Sequence, residues 1–261
     1  MSTSGYEIID THAHLDDPRF DRDRDEVITR ARSAGVVAIV CVGSDFASSR
    51  RAVALAEERP GIYAAVGVHP HEAAGVVPRV WDGLRLLAER DKVVAWGEIG
   101  LDFHYNFSPP DVQRDVFRRQ LELAGECGLP VIVHDREAHE EALAILKDFP
   151  GLKGVVFHCF SGDRGIAEEC LARGYYLGIG GTLTYPRNER LREIVKEAPI
   201  GMLLLETDCP YLAPQPWRGK RNEPAYLTAV VEKIAEIKGI PPEEVAAAAA
   251  ANARAFFGIR E

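Results

Sequence analysis

Short apolar runs rich in β-branched residues recur along this chain, each followed by a longer amphipathic stretch. That alternation limits the fold more than any other feature. The runs cover residues 7–10, 36–42, 62–68, 93–99, 130–134, 154–158, 175–179 and 202–206, eight in all. Most are continuously apolar, as in VVAIVCV, which is how parallel strands covered on both faces read. Helical patterns fill 21–34, 47–59, 79–90, 110–127, 136–149, 164–173 and 189–198, and two more follow at 223–238 and 242–257. Gly35, Gly61, Gly128 and Gly174 stand where helices should stop. Eight βα units in 261 residues predict an α/β fold, a (β/α)8 TIM barrel forming a single domain over residues 1–261. An open doubly wound sheet is the alternative. The alanine run at 246–251 predicts a tightly packed terminal helix.

The formal net charge of −9 excludes a protein that grips nucleic acid through a broadly basic surface. A polyanionic substrate would have to be held locally, by bound cations and a small basic patch. Five cysteines, an odd number without a CxxC pair, point away from a disulfide framework or a zinc knuckle. The first residues do not read as a signal peptide, and no apolar run is long enough to span a bilayer. The expectation is a cytoplasmic protein, with no membrane association and no obligate protein partner evident.

Parallel barrels place their active sites at the C-terminal ends of the strands. Those ends here read Asp10-Thr11-His12-Ala13-His14, His69-Pro70-His71, Gly97-Glu98, His134-Asp135, His158-Cys159 and Glu206-Thr207-Asp208. Residues two apart on an extended chain share a face, so His12 and His14 can point together into the barrel mouth. Alone, an HxH pair or a strand-end carboxylate is commonly structural. Together, His12, His14, Glu98, His134, His158 and Asp208 make a candidate metal site. Imidazoles with carboxylates suit Zn, Mn, Fe or Ni, and tolerate Mg where water completes the shell. A carboxylate such as Glu98 can span two ions through its two oxygens. Asp208, closing the last strand, is the candidate general base. His69 is placed against substrate, and His104 and His139 at the surface. Cys159 and Cys209 neighbour candidate ligands, and strand alternation predicts that both face the helices.

The loop after the eighth run carries Arg218, Lys220 and Arg221, the most basic short segment in an acidic chain. Loops after the last strands of a barrel often bind phosphate, so these three are candidate contacts to a phosphate backbone.

Several stretches, in order, carry a resemblance: DTHAHLD (10–16), GVHPH (67–71), GEIGLDF (97–103), PVIVHDREA (130–138), FHCFSG (157–162), GGTLTYP (180–186), ETDCPYLAP (206–214), RGKRNEP (218–224) and NARAFFG (252–258). The chain resembles the TatD family of metal-dependent deoxyribonucleases within the amidohydrolase-like barrels. The resemblance implies two adjacent divalent cations, Mg²⁺ or Mn²⁺ with Zn²⁺ also compatible. His12, His14, Glu98 and Asp208 would hold one, and Glu98, His134 and His158 the other, with Glu98 as the bridge. It implies hydrolysis of DNA phosphodiesters, exonucleolytic, with single strands or 3′ ends favoured. Some relatives look like deacylases acting on D-aminoacyl-tRNA, so hydrolysis of an ester or amide is the alternative. A third reading is a scaffold stapled by structural metal.

Overall fold

The computed structural model describes residues 5–259. Eight parallel strands form one sheet in sequence order: β1 (Ile8–Ala13), β2 (Val36–Val42), β3 (Ile62–Val66), β4 (Val93–Asp102), β5 (Val131–Arg136), β6 (Val155–Phe157), β7 (Tyr176–Ile179) and β8 (Leu203–Leu205). Helices α1 (Arg24–Ser33), α2 (Phe46–Glu58), α3 (Pro78–Ala88), α4 (Pro110–Cys127), α5 (His139–Leu146), α6 (Arg164–Ala172) and α7 (Glu189–Glu197) lie between successive strands. Two more, α8 (Leu227–Lys238) and α9 (Pro242–Phe257), follow β8. The fold is the expected TIM barrel.

The seam between β1 and β8 is bridged rather than laddered. Asp208 N donates to His12 O (2.8 Å), His14 N to Cys209 O (2.7 Å) and Thr11 Oγ1 to Leu205 O (3.0 Å). Asp10 adds side-chain bonds, its carboxylate accepting from Thr207 N (3.0 Å) and Thr207 Oγ1 (2.6 Å).

Strand alternation sorts the core into two shells. Outward residues such as Ile39, Trp96, Val133 and Leu205 pack under the helices. Inward residues, among them Ile9, Val40, Ala65, Ile132, Val156 and Leu204, meet Ala250, Ala253, Phe256 and Phe257 of α9. The alanine-rich helix thus plugs the N-terminal end of the barrel, and its small side chains allow the close approach.

Several boundaries shift from expectation. β4 runs on to Asp102 and β5 to Arg136, because the two strands stay paired through Gly100↔His134, Leu101↔Asp135 and Asp102↔Arg136. β6 and β8 stop early, and the backbone beyond each enters the left-handed region, at Cys159 (φ 45°) and Asp208 (φ 55°). α1 and α8 start late because Pro18–Phe20 and Pro224–Tyr226 first form single 3-10 turns.

Candidate metal centre

Five of the six strand-end histidines named from the sequence meet around one carboxylate. Glu98, on β4, is only 3 % exposed, and its two oxygens face different partners. Oε2 lies 3.4 Å from His12 Nε2 and 3.9 Å from His14 Nε2. Oε1 lies 2.8 Å from both His134 Nδ1 and His158 Nε2. Asp208 joins the first group, its Oδ1 3.4 Å from His14 Nε2 and 3.9 Å from His12 Nε2.

Within each group the ring nitrogens face one another: His12 and His14 Nε2 are 3.3 Å apart, and His134 Nδ1 and His158 Nε2 are 3.4 Å apart. Nitrogens bound about 2.0–2.1 Å from one ion at tetrahedral or octahedral angles lie about 2.9–3.4 Å from each other. Both spacings would suit two rings that share a cation.

The tautomers agree with this. His14 Nδ1 lies 2.9 Å from the carbonyl oxygen of Val42, so it donates there and Nε2 is the nitrogen left facing the centre. His134 Nε2 lies 3.2 Å from Asp102 Oδ2, which leaves Nδ1 facing Glu98. Further in, the buried atoms His12 Nδ1, His158 Nδ1 and Glu206 Oε2 lack hydrogen-bond partners. Partnerless buried polar atoms are costly, and their gathering here fits a centre completed by cations and solvent.

The charges are organised as a metal site would require. Burial favours protonation of Glu98, but the charge of His158 and the hydrogen bonds of His12 and His134 outweigh it and hold the carboxyl well below its usual range. Burial likewise opposes ionisation of Asp208, and the His14 hydrogen bond together with the charges of the surrounding histidines more than compensates, so this carboxyl is also lowered. On the cationic side, burial works against the charged form of His14, yet Asp208 and Glu98 raise it to about 9. The same competition, between burial and Glu98 with Glu206, lifts His158 well above its ordinary value.

Two carboxylates given no role from sequence support the ring of ligands. Asp102 is fully buried, and its Oδ2 receives both His134 Nε2 and His71 Nε2 (2.8 Å). Glu206 is buried with Oε1 3.6 Å from His158 Nδ1, and it accepts a short bond from Cys159 N. Gly178 on β7 makes room for it, since a Cβ there would collide with the Glu206 carboxylate and His158 Cα. That glycine is the signal by which Glu206 could have been found.

The remaining candidates scatter. His69 Nε2 approaches Glu98 Oε1 at 3.5 Å, and its position beside Glu98 and His134 would permit ligation. Its Nδ1, however, accepts from His71 N (3.0 Å). Burial holds the ring well below its usual pKa, hence neutral, with its single proton on Nε2 aimed inward. His69 is thus built as a donor to the centre. Arg218 lies 4.0 Å over the Tyr185 ring, lining an open cleft with Thr182, Asn188 and Gln215. Lys220 is exposed. Arg221 is engaged elsewhere, with both terminal nitrogens on Asp23 (2.8 and 2.6 Å) and its guanidinium over Phe20.

His104 is at the surface with Glu137, as expected. His139 is half-buried against Asp135 rather than free at the surface. Cys209 packs in the helix-side core as predicted. Cys159 departs from expectation: β6 has ended, alternation no longer applies, and the residue lines a small cavity with Phe160, Thr182 and Asn188.

A family model described as TatD related DNase matches residues 9–258. The uncharacterized metal-dependent hydrolase YabD of Bacillus subtilis is 44 % identical over 97 % of this chain and 99 % of its own length. The 3′-5′ ssDNA/RNA exonuclease TatD of Erwinia amylovora is 43 % identical over 97 % of this chain and all of its own. Among solved structures, the TatD homolog YJJV of Escherichia coli superposes with a TM-score of 0.93 at 35 % identity, covering 97 % of this chain and 98 % of that one.

Proposed function

The chain belongs to the family of TatD-related DNases and is a metal-dependent hydrolase, and on that premise we propose that it removes nucleotides from the 3′ ends of single-stranded DNA. The observation that carries the reading is the division of Glu98: one oxygen faces His12 and His14, the other His134 and His158. The donor set fits two divalent cations, Mg²⁺ or Mn²⁺ with Zn²⁺ compatible. His12, His14, Asp208 and Glu98 would hold one, and Glu98, His134 and His158 the other. When bound, such a pair supplies Lewis-acid polarisation of the phosphoryl group and lowers the pKa of water.

The rest falls to the chain's own groups. Asp208, ionised at neutral pH, accepts the proton of the attacking water. His69 presents a neutral N–H toward the centre and donates to a non-bridging phosphate oxygen. Arg218 and Lys220 hold the backbone upstream of the scissile bond. Arg221, held by Asp23, shapes that loop rather than reaching the substrate. Among the described residues no helix is long and apolar enough to cross a membrane. The five free cysteines fit the reducing cytoplasm, where we propose that the chain acts as one catalytic unit. The deacylase alternative is not favoured, since the relatives are named as nucleases or as a metal-dependent hydrolase. A scaffold stapled by structural metal has no support in those names either.

The test is a metal-defined preparation given 5′-labelled and 3′-labelled single strands. Expected are stepwise shortening from the 3′ end with Mg²⁺ or Mn²⁺, none with EDTA, and two ions per chain by elemental analysis. Intact DNA at every metal and concentration would sink the proposal.

A further inference from the structure

Beside the centre, on the loop after β4, two aromatic side chains stand in the open. Phe107 is 68 % exposed and Tyr105 48 % exposed. Single exposed apolar side chains are ordinary. This is a pair: the rings lie nearly parallel, 17° apart with centroids 5.3 Å from each other. The His71 ring stands steeply inclined to both, its centroid 4.7 Å from that of Phe107 and 5.6 Å from that of Tyr105. The Arg136 guanidinium lies 4.8 Å from the Tyr105 centroid and brings a positive charge to the same spot.

The backbone beneath is pinned. Asp102 Oδ1 accepts from His104 N (3.0 Å) and Tyr105 N (2.8 Å), and Asn106 Nδ2 donates to Phe103 O (2.7 Å). Buried Gln113 ties both ends of the loop, donating to Asp102 O (3.0 Å) and Ser108 O (2.8 Å). Ser108 Oγ in turn donates to His71 O (2.8 Å). The loop is thus held by hydrogen bonds, with Phe103 packed against the core at its start. The carboxylate that clasps it, Asp102, is the one that orients His134.

We infer that Tyr105 and Phe107 form a stacking platform for the unpaired bases of a single strand whose 3′ end lies in the metal centre, with Arg136 beside the adjoining phosphate. The inference rests on the nuclease reading above and names what makes that site select single strands. A stacked base needs an exposed π face on a rigid support, and any base supplies the matching face, so recognition is independent of sequence. Bases paired in a duplex have no free face to offer.

The test compares the wild type with the double variant Tyr105→Ala/Phe107→Ala on an oligothymidylate and on the same oligonucleotide with abasic residues at its 3′ end. Binding is read by anisotropy in EDTA, where cleavage cannot proceed, and KM and kcat are read with metal. Loss of base stacking weakens binding about 5- to 150-fold, and the double variant should show that loss in Kd and KM while kcat stays within roughly twofold. On the abasic strand the two proteins should be equal. Tyr105→Phe and Phe107→Tyr, which keep the rings, should restore affinity. The inference is overturned if the double variant handles the base-bearing strand like the wild type, or if it loses as much on the abasic strand. If the wild type cleaves no nucleic acid, the nuclease reading fails, and the anisotropy arm still decides whether the rings hold bases.

Discussion

At the N-terminal end of the barrel, α9 lays Phe256 and Phe257 against inward-facing aliphatic side chains, and the helices nearby stop at left-handed glycines such as Gly35, Gly61, Gly128 and Gly174. At the C-terminal end the same strands gather buried histidines and carboxylates. Here five non-glycine residues also take left-handed positions, Asn106, Glu137, Cys159, Asp208 and Leu212, beside Gly219 in the loop after β8. Those five are the only non-glycine residues with positive φ among the described residues, and all follow the C-terminal ends of strands. Glycine enters the left-handed region without steric cost, whereas imposing that conformation on other residues costs about 1–3 kcal/mol. One end of the barrel is relaxed, apolar and satisfied. The other is strained and holds partnerless polar atoms, which is tolerable because the packed end supplies the stability.

The sharpest way to break this contrast is to mutate one residue at each end. Glu98→Gln removes the carboxylate that both histidine pairs share. Loss of one member of a catalytic unit lowers turnover on the order of 10⁴-fold, and the variant should keep native circular dichroism at 25 °C. Phe256→Ala should do the reverse. It opens a cavity under α9 and lowers unfolding free energy by about 3–5 kcal/mol in urea, with the kcat of the folded fraction unchanged. If Phe256→Ala reduced kcat as deeply as Glu98→Gln, the two ends would not be separable.

The same contrast explains what could be read from the sequence. The barrel was legible because eight apolar runs and the intervening helices repeat one physical pattern, and α9 because alanine marks close packing. His12, His14, Glu98, His134 and His158 were legible because strand ends face the mouth. Asp102 was not, since its role depends on β4 continuing past Ile99 in register with β5, which brings it beside His134. The pairing of Arg221 with Asp23 was not legible either, because the two lie 198 residues apart. Tyr105 and Phe107 carry no periodicity at all, since loop aromatics become a surface only once a buried Gln113 has fixed the loop.

Asp102 gives a finer test, because it lies where the strained mouth meets the packed wall. Asp102→Asn is nearly isosteric and keeps an oxygen for the His104 and Tyr105 amides. It replaces the oxygen that receives His134 with an amide nitrogen. Loss of such an outer partner lowers metal affinity about 10- to 100-fold, measurable by Mn²⁺ titration, and excess Mn²⁺ should restore most activity. A wild-type titration curve would reduce Asp102 to a loop clasp.

The smallest effect follows from protons. In the metal-free protein His14 titrates at about 9, so at neutral pH its ring carries a proton where an ion would bind. His134 and His158 are raised as well, while Glu98 and Asp208 are lowered and already ionised. A raised histidine is protonated below its pKa and must release that proton before its lone pair can bind metal. Apparent affinity should therefore climb with pH by about tenfold per unit for each proton released, and the climb contributed by His14 should flatten above about 9. Calorimetric titration at pH 7 in two buffers of different ionisation enthalpy counts those protons. A heat that does not depend on the buffer would mean that none are released, and that the carboxylates in the mouth do not hold the histidines charged while the site awaits its ions.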